Sequence, residues 1–145
     1  MEILNRVANH NYFITDTYEC GIVLTGTEIK SIRNGKCNIK DSYAIIKNNE
    51  VYLLNTHIST YDKGNIFNHE ETRTRKLLLH KKEILKLNNK VNLEGYTLIP
   101  LKIYFVKGKA KILLGVCKGK KTYDKKEASK VRDLDRAMMK NTKFR

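Results

Sequence analysis

Short alternating runs of apolar and polar residues fill most of this chain, the pattern of half-buried β-strands rather than of long helices. Tyr18 to Leu24 is apolar and β-branched. Tyr43-Ala44-Ile45-Ile46-Lys47 and Val51-Tyr52-Leu53-Leu54 flank Asn48-Asn49-Glu50, whose asparagines tolerate a tight turn, so the segment reads as a hairpin. Tyr96 to Val106 and Ala110 to Val116 flank Lys107-Gly108-Lys109 as a second hairpin, and Pro100 early in its first strand predicts an edge position or a bulge.

Two stretches carry a helical period instead. Thr27 to Arg33 is closed by Asn34-Gly35, a stop that supplies a left-handed residue. Leu78 to Asn88 places Ile84 and Leu87, with Val91 beyond, at helical spacing. Several short strands interrupted by two short helices predict a mainly β fold, a small antiparallel barrel. The oligonucleotide-binding barrel is one member of that class, and the pattern leaves the strand order open.

Beyond residue 118 the pattern changes. Val131, Leu134 and Met138 form a narrow stripe at helical spacing, and Asp124 with Glu127 three residues later fits a helix start. The stripe is too narrow for its burial to offset the entropy of ordering so charged a segment. The expected organisation is therefore a β-barrel domain over residues 1–118 and a basic tail over 119–145, disordered when free and helical when bound.

Charge narrows the partner. The 145 residues carry 29 Lys and Arg against 15 Asp and Glu, a formal net charge of +14. From Lys118 onward there are eleven Lys or Arg and four Asp or Glu, so half of that charge lies in the last fifth of the chain. A field of this sign attracts polyanions, with nucleic acid the leading class and an anionic membrane surface the second. No apolar run approaches the roughly 18 residues of a membrane span, and Met1-Glu2-Ile3-Leu4-Asn5-Arg6 has no signal-peptide pattern, so the expected location is cytoplasmic, with no membrane partner.

Catalytic chemistry finds little to stand on. Cys20, Cys37 and Cys117 are far apart, with no C-x-x-C pair to suggest a disulfide framework or a structural metal. His10, His57, His69 and His80 are scattered and form no metal or nucleophile motif. A metal-free ribonuclease using two histidines and a lysine is the enzymatic alternative. The expectation is no enzyme and no cofactor.

The RNA-facing candidates are cations and their neighbours. Thr72-Arg73-Thr74-Arg75-Lys76 places three cations directly before Leu77-Leu78-Leu79, reading as a donor-rich loop anchored by a buried helix start. Lys30, Arg33, Lys36 and Lys40 flank the first helix and its turn. Glu28, at that helix's start, is either a dipole-stabilising carboxylate or an acceptor for a base amino group or ribose hydroxyl. Asn55 and His57 follow a strand, where side chains can meet unpaired bases. Against each candidate stands the plainer reading of a solvated or structural residue.

Taken in order, these residues resemble a known family. Asn5-Arg6-x-Ala8-x-His10-x-Tyr12-Phe13-Ile14 is followed by Tyr18-Glu19-x-Gly21-Ile22-Val23-Leu24-x-Gly26-Thr27-Glu28-Ile29-Lys30-Ser31-Ile32-Arg33-x-Gly35-Lys36 and by Asp41-Ser42-Tyr43. Then come Asn65-x-Phe67-Asn68-His69, Arg73-Thr74-Arg75-Lys76-Leu77-Leu78-Leu79, and Gly115-Val116-x-Lys118-Gly119-Lys120-Lys121-x-Tyr123-Asp124-Lys125. The series resembles small protein B (SsrA-binding protein), the transfer-messenger RNA-binding protein family of bacteria, from about residue 5 to the end.

The resemblance implies a six-stranded barrel of the oligonucleotide-binding type and no catalysis. It implies binding to the tRNA-like domain of transfer-messenger RNA and delivery to stalled ribosomes for trans-translation, with the tail in the empty mRNA channel near the small-subunit decoding region. Alanyl-tRNA synthetase and the elongation GTPase would act on the same RNA, and the protein would be a monomer. Glu28, Lys30, Arg73, Arg75, Lys76 and Leu77 match positions associated with RNA binding. Gly119, Lys120, Lys121, Tyr123, Asp124, Lys125 and Lys126 match the junction at the decoding region, with Val131, Leu134 and Met138 further along the tail. Lys126 replaces the usual arginine, keeping charge but losing paired guanidinium bonding. Tyr123 stands where some relatives carry histidine, which keeps a stacking ring without a protonation switch. The rival from another class is a basic ribosome-associated protein whose arm fills a groove in rRNA.

Overall fold

The computed structural model describes residues 2–61 and 68–120. In chain order the elements are β1 (Glu2–Leu4), α1 (Ala8–Asn11), β2 (Tyr12–Ile22), α2 (Gly26–Arg33), β3 (Cys37–Asn38) and β4 (Tyr43–Lys47). They continue with β5 (Glu50–Leu54), β6 (His57–Ile58), β7 (Arg75–Leu78), α3 (Lys81–Glu94), β8 (Thr97–Val106) and β9 (Lys109–Gly119).

Both expected hairpins form, and their turns explain their registers. Lys47 pairs with Glu50, leaving Asn48 and Asn49 as a two-residue turn at φ 53° and 62°. Lys107 and Gly108 turn at φ 50° and 81° between Val106 and Lys109. Two consecutive positive φ values give the type I′ geometry, whose twist matches that of the flanking strands. Pro100 marks a bulge rather than an edge, because the β8–β9 register slips between Pro100 and Lys102. Asn5 stitches that irregularity: its backbone N–H donates to the Leu101 carbonyl at 2.8 Å and its Nδ2 to the Pro100 carbonyl at 2.9 Å.

Six strands close a ring in the order β8-β4-β5-β7-β2-β9 and back to β8, every pairing antiparallel. One edge of β8 serves β4 at Leu98 and β1 from Lys102 to Tyr104; the other serves β9. The ring is unevenly sewn. β2–β9 and β8–β9 are long ladders, whereas β4 meets β8 through Ala44–Leu98 alone and β2 meets β7 through two residue pairs. Val51, Leu53, Leu98, Ile103, Ile112 and Leu114 fill the interior with no measurable exposure. Each such side chain contributes about 1.5–3 kcal/mol of transfer free energy.

Two expectations about the elements need correction. The strand expected over Tyr18 to Leu24 is β2, which begins at Tyr12, six residues before Tyr18, and Leu24 lies beyond its end. The segment starting at Leu78 is not a helix start: Arg75 to Leu78 is a strand between β5 and β2, with Arg75 and Leu77 buried and Leu78 exposed. That alternation has period two, and three leucines in a row had hidden it. The helix begins at Lys81, where Glu83 Oε1 accepts the His80 backbone N–H at 3.1 Å, and ends before Gly95 at φ 74°. At the other end of the body β9 reaches Gly119, and the Lys120 N–H bonds to the Asn11 carbonyl at 2.8 Å, two residues beyond the expected boundary at 118. The helix expected after Asp124 lies outside the described residues.

Candidate nucleic-acid interface

At the start of α2, Thr25 and Glu28 form a capping box. The Thr25 hydroxyl accepts from the Glu28 backbone N–H, and Glu28 Oε1 accepts from the Thr25 backbone N–H at 2.8 Å. A capping carboxylate ordinarily faces water. This one has no exposed surface and meets two arginines instead. Arg75 Nε donates to Glu28 Oε2 at 2.7 Å, while Arg73 donates through Nε to Oε2 at 3.1 Å and through Nη2 to Oε1 at 2.6 Å.

Arg75 is itself fully buried, and its remaining nitrogens are spent on carbonyls: Thr56 at 2.6 Å, Glu71 at 3.1 Å and Glu70 at 3.3 Å. One guanidinium thereby ties α2, the chain around Thr56 and the segment before β7 together. Burial alone would raise the Glu28 carboxyl, but hydrogen bonds from Arg73, the Thr25 N–H and Arg75 hold it below its ordinary value. His69, also buried, adds a tie, with Nε2 2.8 Å from the Ile58 carbonyl and Nδ1 2.9 Å from the Thr27 hydroxyl.

Three residues expected at an RNA surface are thus inside the protein. Glu28 and Arg75 are the two halves of a buried ion pair, and Leu77, 1% exposed, belongs to the core. Arg73 is half-buried, its guanidinium lying side-on to Glu28. Lys76 is drawn to Glu50 at 2.9 Å, and Glu50 also receives the Tyr52 hydroxyl.

The structure brings other candidates together. Lys30, Arg33 and Lys36 are exposed on α2 and the turn after it. Arg33 lies over the Phe105 ring at 4.6 Å and its Nη2 reaches the Gly108 carbonyl at 3.4 Å, which joins α2 to the β8–β9 turn. Lys107 in that turn and Lys109 at the start of β9 are exposed too, and among the described residues none of these five cations has a carboxylate within 4.0 Å. Neither lysine is among the candidates read from the sequence, although Lys107 in a two-residue hairpin turn must point its side chain outward.

Asn55 is exposed at φ 60° and His57 sits 3.3 Å from Glu71, both apart from the α2 cations in sequence. Lys40 is exposed before β4. Gly119 ends β9, and Lys120 Nζ donates to the Asn9 carbonyl at 2.8 Å while lying over the Phe13 ring. Lys121, Tyr123, Asp124, Lys125, Lys126, Val131, Leu134 and Met138 lie outside the described residues. Burial pushes the Cys20 and Cys37 thiols up to about 12, so neither is a ready nucleophile. Among the described residues no group of three His, Cys, Asp or Glu could hold a metal ion, and no helix is long and apolar enough to cross a membrane.

Comparison with known proteins meets this geometry. The family model described as SmpB protein matches residues 2–144. The SsrA-binding protein of Enterococcus faecalis is 56% identical over 139 residues, spanning 96% of this chain and 90% of that protein. Those of Shouchella clausii and Staphylococcus aureus are each 55% identical over 141 residues, 97% of this chain, and cover 90% and 92% of their own lengths. A chain in the solved structure described as "tmRNA-SmpB: a journey to the center of the bacterial ribosome" superposes with a TM-score of 0.72 at 49% identity, covering 88% of this chain and 94% of that one.

Proposed function

Because this chain belongs to the SmpB protein family, we propose that it binds transfer-messenger RNA and acts with it on the ribosome in trans-translation, rescuing stalled ribosomes and tagging their nascent chains. The observation that carries the reading is identity of about 55% to SsrA-binding proteins across almost the whole chain, together with a barrel that matches a tmRNA-SmpB chain from the bacterial ribosome.

The finer assignment is a proposal about surfaces. Arg33 with Lys107 and Lys109 forms a cluster of exposed cations without a carboxylate partner among the described residues, with Lys30 and Lys36 on the same helix and its following turn, and such cations fit phosphates. Glu28 and Arg75 act one layer beneath, holding the segment that carries Arg73. The tRNA-like domain is the part of the RNA assigned to the barrel, and the decoding region of the small subunit to the chain beyond Lys120. The protein makes and breaks no bond in this reading, and works in the cytoplasm where ribosomes are. Alanyl-tRNA synthetase and the elongation GTPase act on the same RNA.

The test is affinity for the tRNA-like domain against an unrelated duplex of the same length at fixed salt. At least tenfold preference for the tRNA-like domain is expected. Equal affinity would leave only a polyanion binder and favour the rRNA-filling alternative.

A further inference from the structure

A second polar feature is a cavity of about 230 Å³ where α1 meets the approaches to β4 and β8. That volume is smaller than the roughly 300 Å³ at which sites for drug-sized ligands begin, and suits one ring system. Asn5, Asn11, Tyr12, Lys40, Asp41 and Tyr43 are among the residues that line it. Their chemistry is uneven in an informative way.

Tyr12 is half-buried and Tyr43 is 38% exposed, so two phenol rings border a space open to solvent. Lys40 and Asp41 are both exposed, and among the described residues neither makes an ion pair within 4.0 Å. Asn5 is more than nine-tenths buried, with Nδ2 committed to the Ile39 and Pro100 carbonyls at 3.3 and 2.9 Å. Its Oδ1 is buried as well, so Asn5 fixes the cavity wall rather than facing its solvent. The site also adjoins the end of the described chain, since Tyr12 pairs with Gly119 and Asn11 receives the Lys120 N–H.

We propose that this cavity receives a single unpaired nucleobase that carries an exocyclic amino group where uracil and guanine carry a carbonyl, that is adenine or cytosine. The inference rests on the RNA-binding reading above and adds a site to it. The base stacks against Tyr43 and Tyr12, because base–aromatic stacking accepts any ring. Selection comes from the exposed Asp41 carboxylate, which receives an amino group, whereas the uracil carbonyl at that position would oppose it. Lys40 holds the adjoining phosphate. The base must come from a single-stranded or extruded position, since a base stacked in a duplex has no free face for the phenol rings.

The test titrates the full-length, 15N-labelled protein with AMP, CMP, UMP and inorganic phosphate and follows backbone amides. AMP and CMP should shift Asn11 and residues 40 to 43, with UMP about tenfold weaker, the loss expected for one charge-assisted hydrogen bond. Tyr43→Leu, which keeps apolar bulk, should remove the AMP shifts, and Asp41→Ala, at an exposed position, should erase the preference over UMP. Equal shifts from UMP or inorganic phosphate, or shifts confined to other surfaces, would overturn the pocket. Binding of the tRNA-like domain by the same sample separates the two readings: if it binds while the nucleotides do not, the pocket alone fails. If it does not bind, the wider reading fails as well.

Discussion

Replacing Glu28 by glutamine removes one charge and no volume, at the point where the protein has buried a carboxylate between two guanidiniums. The Glu28 oxygens accept four hydrogen bonds, from the Thr25 N–H, twice from Arg73 and once from Arg75. An amide offers one acceptor oxygen, and its NH₂ would face guanidinium N–H groups. Arg75 cannot escape to water, being fully buried and held by three carbonyls. Breaking a buried pair by deleting one partner costs about 3–5 kcal/mol, because the other charge stays inside uncompensated. That is a large part of the roughly 5–15 kcal/mol that holds a domain folded, and lowers Tm by about 10–20 °C at this size.

Urea unfolding at pH 7 measures the loss directly. Glu28→Gln with Arg75→Met should be less destabilised than the sum of the single variants by more than 1 kcal/mol, since the second change removes the stranded charge. The pH dependence has a definite sign. A carboxyl whose folded pKa lies below its unfolded value of about 4.3 contributes fully above that value, and its contribution is lost as pH falls through the folded pKa. The parent protein should therefore weaken as pH drops below about 4.3, and Glu28→Gln should lack that component. A Glu28→Gln protein within 0.5 kcal/mol of the parent, or one with an unchanged acid profile, would refute the reasoning.

Changing Lys36, Lys107 and Lys109 together to alanine should reduce the slope of log K against log salt for the tRNA-like domain by about 2–3 without moving Tm, as filter binding from 50 to 300 mM salt would show. An unchanged slope would place the phosphates elsewhere. Truncation after Lys120, rather than after Lys118, keeps the Asn11 and Asn9 bonds. It should leave affinity for the tRNA-like domain within a few-fold while abolishing tagging in a reconstituted translation reaction; full tagging by the truncated chain would remove any role for the tail.

The local grammar of turns was readable from the chain. Asn48-Asn49 and Lys107-Gly108 set both hairpin registers, Pro100 announced a bulge, and Asn34-Gly35 stopped α2 with Gly35 at φ 75°. What misled was burial of polar groups. Nothing in Thr72-Arg73-Thr74-Arg75-Lys76 distinguishes an arginine that faces solvent from one that faces a core, and the partner that decides it, Glu28, is 47 residues away from Arg75. Leu77 reads as part of a buried helix start, with an RNA-binding role only through the resemblance, because its strand partners, Val51 and Ile22, are also remote in sequence. Asn5 shows the same limit: its buried amide serves Ile39 and Pro100 carbonyls 34 and 95 residues away. The exposed ridge formed by Arg33 and the β8–β9 turn exists only because the barrel places those segments side by side.

The uneven sewing of the ring has a dynamic consequence. Two well-laddered sheets, β2-β9-β8 and β4-β5-β7, meet through one residue pair on one side and two on the other. Glu28 follows the first sheet directly in sequence, and Arg75 begins a strand of the second, so their ion pair is an electrostatic rivet across the shorter joints. With the rivet in place, amides on both sheets should open to hydrogen exchange as a single cooperative unit. Without it the barrel becomes two weakly coupled foldons, and the β4-β5-β7 side, with its shorter ladders, exchanges first.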